Sequence, residues 1–255
     1  MRTTGPEGAL TDIADRLVRA RASVCLTGAG VSAESGISTF RDAATGLWSR
    51  FDPEQLASVA GFRNNPDLVW RWYRDRVRAV QDARPNPGHV ALARLARSLE
   101  GFATVTQNVD DLHERAGSAD VVHLHGRLTA YRCLECGTPV QLDLAQRLAA
   151  EPPVCAACAG LIRPGVVWFG ELLDGRLWQR ACAACQQAQV MLVVGTSGLV
   201  WPAAELPLLA RRAGAHVVEV NPEDTELTGW ADICVRGRSG EILPLLADQV
   251  ERMVS

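Results

Sequence analysis

Residues 26–48 read LTGAGVSAESGISTFRDAATGLW and follow directly on a short apolar run, SVCLT, at residues 23–27. Gly, Ala, Ser and Thr dominate this stretch. Such residues let a backbone approach a ligand closely and turn its N–H groups toward phosphate. We therefore expect the loop to hold a nucleotide, while the rest of the chain positions a second substrate against it.

The first part of this loop, Gly28 to Ala33, fits the G-x-G-x-x-G/A dinucleotide fingerprint after a strand. The usual sequel is a second strand that ends about 20 residues later in an acidic residue for a ribose. Asp52 lies near that distance, but its neighbour Pro53 marks it as a helix cap. The alternative interpretation is a tight strand-to-helix turn, which the continued polar run through Arg41 disfavours.

Composition narrows the class of protein. The chain has 255 residues, a hydrophobic content of 47% and a net charge of −3. This length suits one large domain with a smaller insert, and the acidic balance argues against a general nucleic-acid binder. With no export signal and no apolar run of membrane-spanning length, we expect a cytoplasmic protein without a membrane partner. All 26 basic residues are Arg, so no catalytic Lys can be proposed.

Apolar periodicity predicts an alternation of helices and strands. Helices are predicted at residues 7–21, 52–62, 66–82, 87–99, 174–187 and 203–213 and at the end of the chain. Strands are predicted at residues 23–27, 102–106, 121–124, 166–169, 190–194, 216–220 and 233–235. This order indicates an α/β fold, a Rossmann-type parallel sheet with helices on both faces.

Polar residues follow five of the predicted strands, after Thr27, Thr106, Leu124, Val194 and Val220. In parallel sheets, ligands bind at the carboxyl ends of the strands. The convergence predicts one site at that edge. His125 follows one of these strands and is a candidate general base, whereas His123 should face away from it.

Two CxxC pairs, Cys133/Cys136 and Cys155/Cys158, are separated by 18 residues. This spacing is typical of a zinc site with four thiolate ligands, closed and structural. Disulfides are the alternative, disfavoured by the lack of an export signal. A third pair, Cys182 and Cys185, lies in a predicted Ala-rich helix and is interpreted as packing.

Tyr73 and Arg76 lie three residues apart, on one face of a predicted helix. A phenol and a guanidinium could bind a carboxylate together. Several further Arg residues occur on the same helix, so a solvated face is the favoured interpretation from the residues alone.

The chain resembles the sirtuins, NAD-dependent protein lysine deacylases, over about residues 19–244. GAGVSAESGISTFR, TQNVDDLH, HLHG, the four cysteines, RPGVVWFGE and GTS occur in family order. The resemblance implies a Rossmann-type domain at residues 1–126 and 166–255, with a helical cofactor-loop module at about 40–85. It also implies a small zinc-ribbon domain at residues 127–165, with NAD and an acylated lysine side chain of a protein meeting between the domains.

The resemblance also implies roles for individual residues. His125 would be the general base. The NAD contacts would be Gly28, Ala29, Gly30, Glu34, Ser35, Phe40, Arg41, Trp48, Gln107, Asn108, Asp110, Gly195, Thr196, Ser197, Asn221 and Ser239. The substrate contacts would be Val167, Trp168, Phe169 and Gly170. Tyr73 and Arg76 are similar to the signature of the desuccinylase and demalonylase subgroup, with Ala43 leaving room for the longer acyl group. Cys133, Cys136, Cys155 and Cys158 would hold a structural zinc ion.

The activity implied is removal of acetyl, succinyl or malonyl groups from lysine, with release of nicotinamide and O-acyl-ADP-ribose. NAD would be a co-substrate rather than a hydride carrier. Two alternatives stay open: a mono-ADP-ribosyltransferase, and a non-enzymatic NAD-sensing or zinc-ribbon binding module. A monomer is expected.

Overall fold

The computed structural model describes residues 6–37 and 53–255. Its α-helices are α1 (Pro6–Arg19), α2 (Ala29–Ala33), α3 (Pro53–Leu56), α4 (Val59–Asn64), α5 (Pro66–Asp82), α6 (Pro87–Ser98), α7 (Leu112–Arg115), α8 (Leu144–Arg147), α9 (Gly175–Gln187), α10 (Leu206–Arg212) and α11 (Ser239–Val254). Its strands are β1 (Ser23–Thr27), β2 (Phe102–Thr106), β3 (Val121–His123), β4 (Gly126–Cys133), β5 (Pro139–Val140), β6 (Ile162–Val166), β7 (Val190–Val194), β8 (His216–Asn221) and β9 (Ile233–Arg236).

The larger sheet has six parallel strands in the order β3-β2-β1-β7-β8-β9. Counted along the chain, this is the 3-2-1-4-5-6 order of a doubly wound Rossmann sheet, whose direction of winding reverses between β1 and β7. A ligand crevice is expected at the carboxyl ends of those two strands.

Helices cover both faces of this sheet. Every residue of β1 and β7 is buried, so side chains on both faces of these strands need a covering layer. Cys25 of β1 faces the cluster that contains apolar side chains of α1, α6 and α11. Val24 and Leu26 face the opposite cluster, which contains side chains of α9 and α10. The predicted α/β fold class is therefore confirmed.

A second sheet, of three strands in the order β5-β4-β6, lies within residues 126–166. Both of its pairings are antiparallel, and Cys133 of β4 pairs with Ile162 of β6. The division of the chain into domains stays a prediction.

Three predicted elements differ from the observed ones. The helix predicted at residues 52–62 is two helices, α3 and α4, because Ser58 leaves the helical conformation and its hydroxyl caps α4 by accepting from Gly61 N at 2.9 Å. Asp52, its predicted cap, lies outside the described residues. The last predicted helix before β8 begins as a 3-10 turn at Ala203–Glu205 and becomes α-helical only at Leu206.

The strand predicted at residues 166–169 is wrong, because β6 ends at Val166 where that strand should begin. The next residues bond to two separate segments. Val167 N donates to His125 O, and Phe169 N donates to Ala57 O, both at 2.8 Å. Because their partners differ, these residues form a bridge between segments rather than a strand.

Within the described ranges, no helix combines the length and apolar character needed to cross a bilayer.

Candidate functional site

One pocket, with a cavity volume of about 1160 Å³, lies where the strands of the larger sheet end. Gly28 follows β1, Gln107 follows β2, Gly195 follows β7, and Asn221 ends β8; all four line the cavity. His125, two residues beyond β3, also lines the cavity. The pocket therefore opens at the point where the winding reverses, as expected for this sheet.

Most of the predicted site residues line this pocket. Those that do are Gly28, Ala29, Gly30, Glu34, Tyr73, Arg76, Gln107, Asn108, Asp110, His125, Val167, Trp168, Phe169, Gly170, Gly195, Thr196, Ser197, Asn221 and Ser239. Ser35 does not line it, and its hydroxyl accepts a hydrogen bond from Asn86 Nδ2 at 2.9 Å. Phe40, Arg41, Ala43 and Trp48 lie outside the described residues.

Two glycines of the loop, Gly28 and Gly30, are needed for packing inside the protein. A Cβ atom on Gly28 would lie 2.7 Å from Thr196 Cβ, and one on Gly30 would lie 2.8 Å from Gly195 O. Gly28 N also donates to Val194 O at 3.0 Å. Side chains at these positions would separate the loop from the end of β7, so the glycines bring the two walls of the crevice together.

Ser32 links this loop to the polar residues after β2, although the sequence did not single it out. Its hydroxyl donates to Asp110 Oδ2 at 2.9 Å and accepts from Asn108 Nδ2 at 3.0 Å. Asn108 Nδ2 also donates to Gly28 O at 3.0 Å. Burial raises the pKa of the Asp110 carboxyl. Asn108 and Asp110 thus face the cavity while holding the loop in shape.

Glu34 joins the same loop to the end of the chain. Its carboxylate accepts from Ser239 Oγ at 2.7 Å and from Gly240 N at 2.9 Å, at the start of α11. A carboxylate is favoured at a helix N-terminus, where backbone N–H groups are unpaired. Glu34 and Ser239 therefore fix each other at the cavity wall.

His125 has a defined proton arrangement. Its Nδ1 lies 3.0 Å from Gln107 O, and a carbonyl oxygen can only accept, so Nδ1 carries the hydrogen. Nε2 has no hydrogen-bond partner among the described residues and is left with its lone pair. Burial lowers the pKa of His125, opposed by the bond to Gln107. The ring is therefore neutral near pH 7 and able to accept a proton.

Tyr73 and Arg76 of α5 line the cavity, so the solvated face favoured from the residues alone is wrong for this pair. Tyr73 is 5% exposed, and its hydroxyl accepts from Trp168 Nε1 at 2.8 Å. The Arg76 guanidinium carbon lies 4.8 Å from the Trp72 ring centre, and no carboxylate in the described ranges pairs with it. Burial lowers the pKa of Arg76, which marks an incompletely compensated cation.

Apolar side chains make up much of the remaining wall. Leu128, Val166 and Trp168 are buried, whereas Leu199 and Trp201 are 57% and 67% exposed beside the opening. The sequence interpretation missed Leu199 and Trp201. The only signal was an apolar run, LVW, after a polar strand end.

The four predicted zinc ligands come together away from this cavity. The sulfur atoms of Cys133, Cys136, Cys155 and Cys158 lie within 4.8 Å of one another, and none of these residues lines the pocket. Tetrahedral zinc with bonds of about 2.3 Å places its sulfurs about 3.8 Å apart. No imidazole or carboxylate of the described residues joins the cluster, so the donor set fits a closed, structural zinc ion.

The third CxxC pair takes no part in this cluster. Both residues belong to α9, and Cys185 is fully buried in the core. Burial raises the pKa of the Cys182 thiol and raises that of Cys185 to about 12. Both are protonated near pH 7, which agrees with the packing interpretation.

Comparison with known proteins identifies the family. Residues 28–202 match the Sir2 family. NAD-dependent protein deacylase 2 of Pyrobaculum aerophilum is 48% identical over 241 residues, covering 94% of this chain and 96% of that protein. NAD-dependent protein deacylase of Methylococcus capsulatus is 49% identical over 239 residues, covering 91% and 94%.

Solved structures agree with these matches. A crystal structure of a Sir2 homologue in complex with NAD has a TM-score of 0.90 and 44% identity, covering 96% of this chain and 94% of the other. Sir2Af2 bound to a myristoylated histone peptide has a TM-score of 0.80 and 34% identity, covering 97% and 98%. The resemblance drawn from the motifs is thereby confirmed: the chain belongs to the Sir2 family, the sirtuins.

Proposed function

We propose that this protein is an NAD-dependent protein lysine deacylase that removes acetyl groups and acyl groups with a terminal carboxylate, such as succinyl and malonyl. The observation that carries the proposal is the position of His125. This neutral imidazole lines the same cavity as Gly28 of the Gly-rich loop, with its Nδ1 bonded to Gln107 O and its backbone O accepting from Val167 N. Relatives about half identical over nearly the whole chain bear the name NAD-dependent protein deacylase.

NAD suits the part of the cavity that is lined by the Gly-rich loop, the end of β7 and Asn221. Gly28, Gly195 and Asn221 are the expected contacts, while Ser32, Asn108 and Asp110 keep the loop in place. Bound there, NAD would supply an electrophilic ribose carbon, with nicotinamide as its leaving group.

His125 is the proposed general base. Its Nε2 lone pair can take a proton from a ribose hydroxyl, while the bond from Nδ1 to Gln107 O holds the ring in the required orientation. Its lowered pKa keeps most of the imidazole in the basic form at neutral pH.

The acyl-lysine would enter along residues 167–170. Val167 and Phe169 already use their N–H groups to hold this segment in place, and Trp168 forms a buried wall. A buried apolar wall excludes water, so the protein can favour transfer of the acyl group over hydrolysis of NAD.

Tyr73 and Arg76 are the proposed partners of a terminal acyl carboxylate. Arg76 supplies a positive charge at the cavity wall that forms no ion pair with a carboxylate of residues 6–37 or 53–255, and Tyr73 supplies a hydroxyl three residues away on the same helix. A carboxylate bound there would offset the unfavourable burial of the Arg76 charge. Acetyl-lysine carries no such group and gains nothing from this pair.

The four clustered cysteines are the proposed zinc ligands. They would hold the end of β4 and the turn after it against the loop that precedes β6, without contact with the reacting atoms. A monomeric state and a cytoplasmic location stay predictions.

The test is a kinetic panel of one peptide carrying acetyl-, malonyl-, succinyl- or glutaryl-lysine, with NAD labelled in its adenine. We expect a small labelled acyl-ADP-ribose and free lysine, and a higher kcat/KM for the carboxyl-bearing groups. Stable label on the peptide or protein would favour ADP-ribosyl transfer instead. A protein that consumes no NAD with any peptide would contradict the proposed activity.

A further inference from the structure

Trp168 is held from three directions at the wall of the cavity. Its indole Nε1 donates to the Tyr73 hydroxyl oxygen at 2.8 Å, and its backbone N donates to Glu171 Oε2 at 2.8 Å. The Arg163 guanidinium carbon lies 3.3 Å from the centre of its ring. With only 2% of its surface exposed, the indole has one available orientation.

The two charged residues around Trp168 fix each other. Arg163 Nη2 donates to Val166 O at 2.7 Å and to Glu171 Oε2 at 3.0 Å. Arg132, on β4, contacts the same carboxylate at 3.3 Å. Although burial raises it, the pKa of Glu171 lies below its usual value because Arg163 donates hydrogen bonds to the carboxylate. Trp168 is thus clamped by an ion cluster anchored in the smaller sheet.

This arrangement decides what the Tyr73 hydroxyl can do. An indole N–H can only donate, so the phenol oxygen must accept from Trp168. The hydrogen of the phenol has no acceptor among the residues that the structure describes, and Tyr73 lines the cavity. Burial raises the pKa of Tyr73 to about 12, so that hydrogen is retained. A buried donor without an acceptor is unfavourable until a ligand supplies one.

We infer that Trp168 is a specificity-determining positioning residue, whose indole N–H orients the Tyr73 hydroxyl as a donor toward an acyl carboxylate beside Arg76. This inference rests on the proposed function. The inference goes beyond the proposed function because it attributes part of the preference for carboxyl-bearing acyl groups to Trp168, which acts through Tyr73.

The measured quantity is the ratio of kcat/KM for succinyl-lysine to that for acetyl-lysine in one peptide. We expect Trp168→Phe and Tyr73→Phe each to lower this ratio roughly tenfold. Tyr73→Phe removes the hydrogen bond from the phenol to the acyl carboxylate, and Trp168→Phe removes the indole N–H that orients the phenol to make it. The double variant should lower it no further than the larger single effect, because both changes act on the same bond.

Trp70→Phe is the matched control. Trp70 is equally buried, and its indole donates to a backbone carbonyl, Ala149 O, at 3.1 Å, outside the cavity. It should leave the ratio unchanged, so a general effect of losing a buried indole is separated from the effect at Trp168.

A ratio unchanged in Trp168→Phe, or additive losses in the double variant, would overturn the inference while leaving the proposed function standing. Wild-type protein that deacetylates but does not desuccinylate would overturn both the carboxylate preference and this inference. Wild-type protein inactive on every acyl peptide would overturn the proposed function itself.

If Trp168→Phe does not fold, the indole N–H can be followed in protein labelled with ¹⁵N-tryptophan. Tyr73→Phe should then speed hydrogen exchange at the Trp168 indole. The succinyl peptide should shift the Trp168 indole resonance in the wild type more than the acetyl peptide does. Equal shifts from the two peptides would overturn the inference.

Discussion

His125 Nδ1 lies 3.0 Å from the backbone carbonyl oxygen of Gln107, and this one contact fixes both the tautomer and the direction of the ring. Gln107 also donates from Nε2 to Thr196 Oγ1 at 3.0 Å. The residue therefore connects the proposed base to the end of β7, where the Gly-rich loop is packed.

Removing the imidazole should abolish deacylation. His125→Ala is expected to lower kcat at least about 100-fold, since general base catalysis contributes 10²–10⁴-fold. Binding of ADP-ribose, measured by calorimetry, should stay within a few-fold. His216→Ala is a suitable control, because His216 begins β8 at the opposite end of the sheet. Full activity in His125→Ala would refute the assignment of the base.

The pH profile should show the effect of burial on the same ring. The pKa of His125 is lowered in the protein, so the base is lost only when the pH falls below the usual histidine value of about 6.5. We expect the acid limb of kcat/KM for acetyl-lysine peptide to have its inflection below that pH. An inflection above pH 7 would mean that another group controls the reaction or that His125 is stabilised in its charged form.

Charge at Arg76 should determine the acyl preference. Arg76→Met keeps much of the side-chain volume and removes the cation, so desuccinylation should fall by about 1.5–3 kcal/mol in transition-state stabilisation and deacetylation much less. Arg71→Met is the control, because Arg71 is an exposed residue of the same helix. Equal losses on the two peptides would point to a structural role for Arg76.

Loss of one cysteine of the cluster should release the metal and destabilise the protein. Cys155→Ser is expected to lower the zinc content from one equivalent per chain toward zero and to lower the midpoint of thermal unfolding. Cys182→Ser, outside the cluster, should keep its zinc. Wild-type protein with no zinc after purification under metal-replete conditions would contradict the predicted site.

Two buried histidines behind the cavity should make stability depend on pH. His89 and His113 have ring centres 4.9 Å apart, and burial lowers their pKa values to about 3 and about 4. Below about pH 6.5 the unfolded chain takes up protons that the folded protein cannot, so the free energy of unfolding falls as the pH drops toward 4. Each ring contributes up to about 1.4 kcal/mol per pH unit in that window.

Urea unfolding at pH 7 and pH 5 checks this expectation. His89→Gln should reduce the difference between the two pH values, whatever its effect on absolute stability. Asp110 acts in the opposite direction, because its raised pKa favours proton uptake by the folded state. An undiminished difference in His89→Gln would show that other groups control acid sensitivity.

The predicted strands β1, β2 and β7 match the observed ones because each is a short apolar run with polar residues at its end. The order of the strands in the sheet could not be predicted from such local patterns. Which strands become neighbours depends on distant helices packing on both faces, as the pairing of Ser23 with Val190 illustrates. Local propensity carries no information about such pairs.

The missed parts of the candidate site are residues whose importance comes from their partners. Ser32 lies inside the quoted loop, but only the fold brings it to Asp110, 78 positions later. A solvated face was predicted for Tyr73 and Arg76 because further Arg residues occur on the same helix, and periodicity alone did not show that this face meets Trp168. Residue type and spacing predict which residues are candidates for a site. Which of them are buried against another element depends on the tertiary structure.

The pairing of β1 with β7 also constrains how the protein can be made. During synthesis, β1 leaves the ribosome early and must wait for most of the chain before its second neighbour exists. The Gly-rich loop cannot pack against Gly195 until then, and Asn221 follows later still. A nascent chain that has completed its cysteine cluster therefore still lacks one wall of the cavity, so NAD can assist only the last stage of folding.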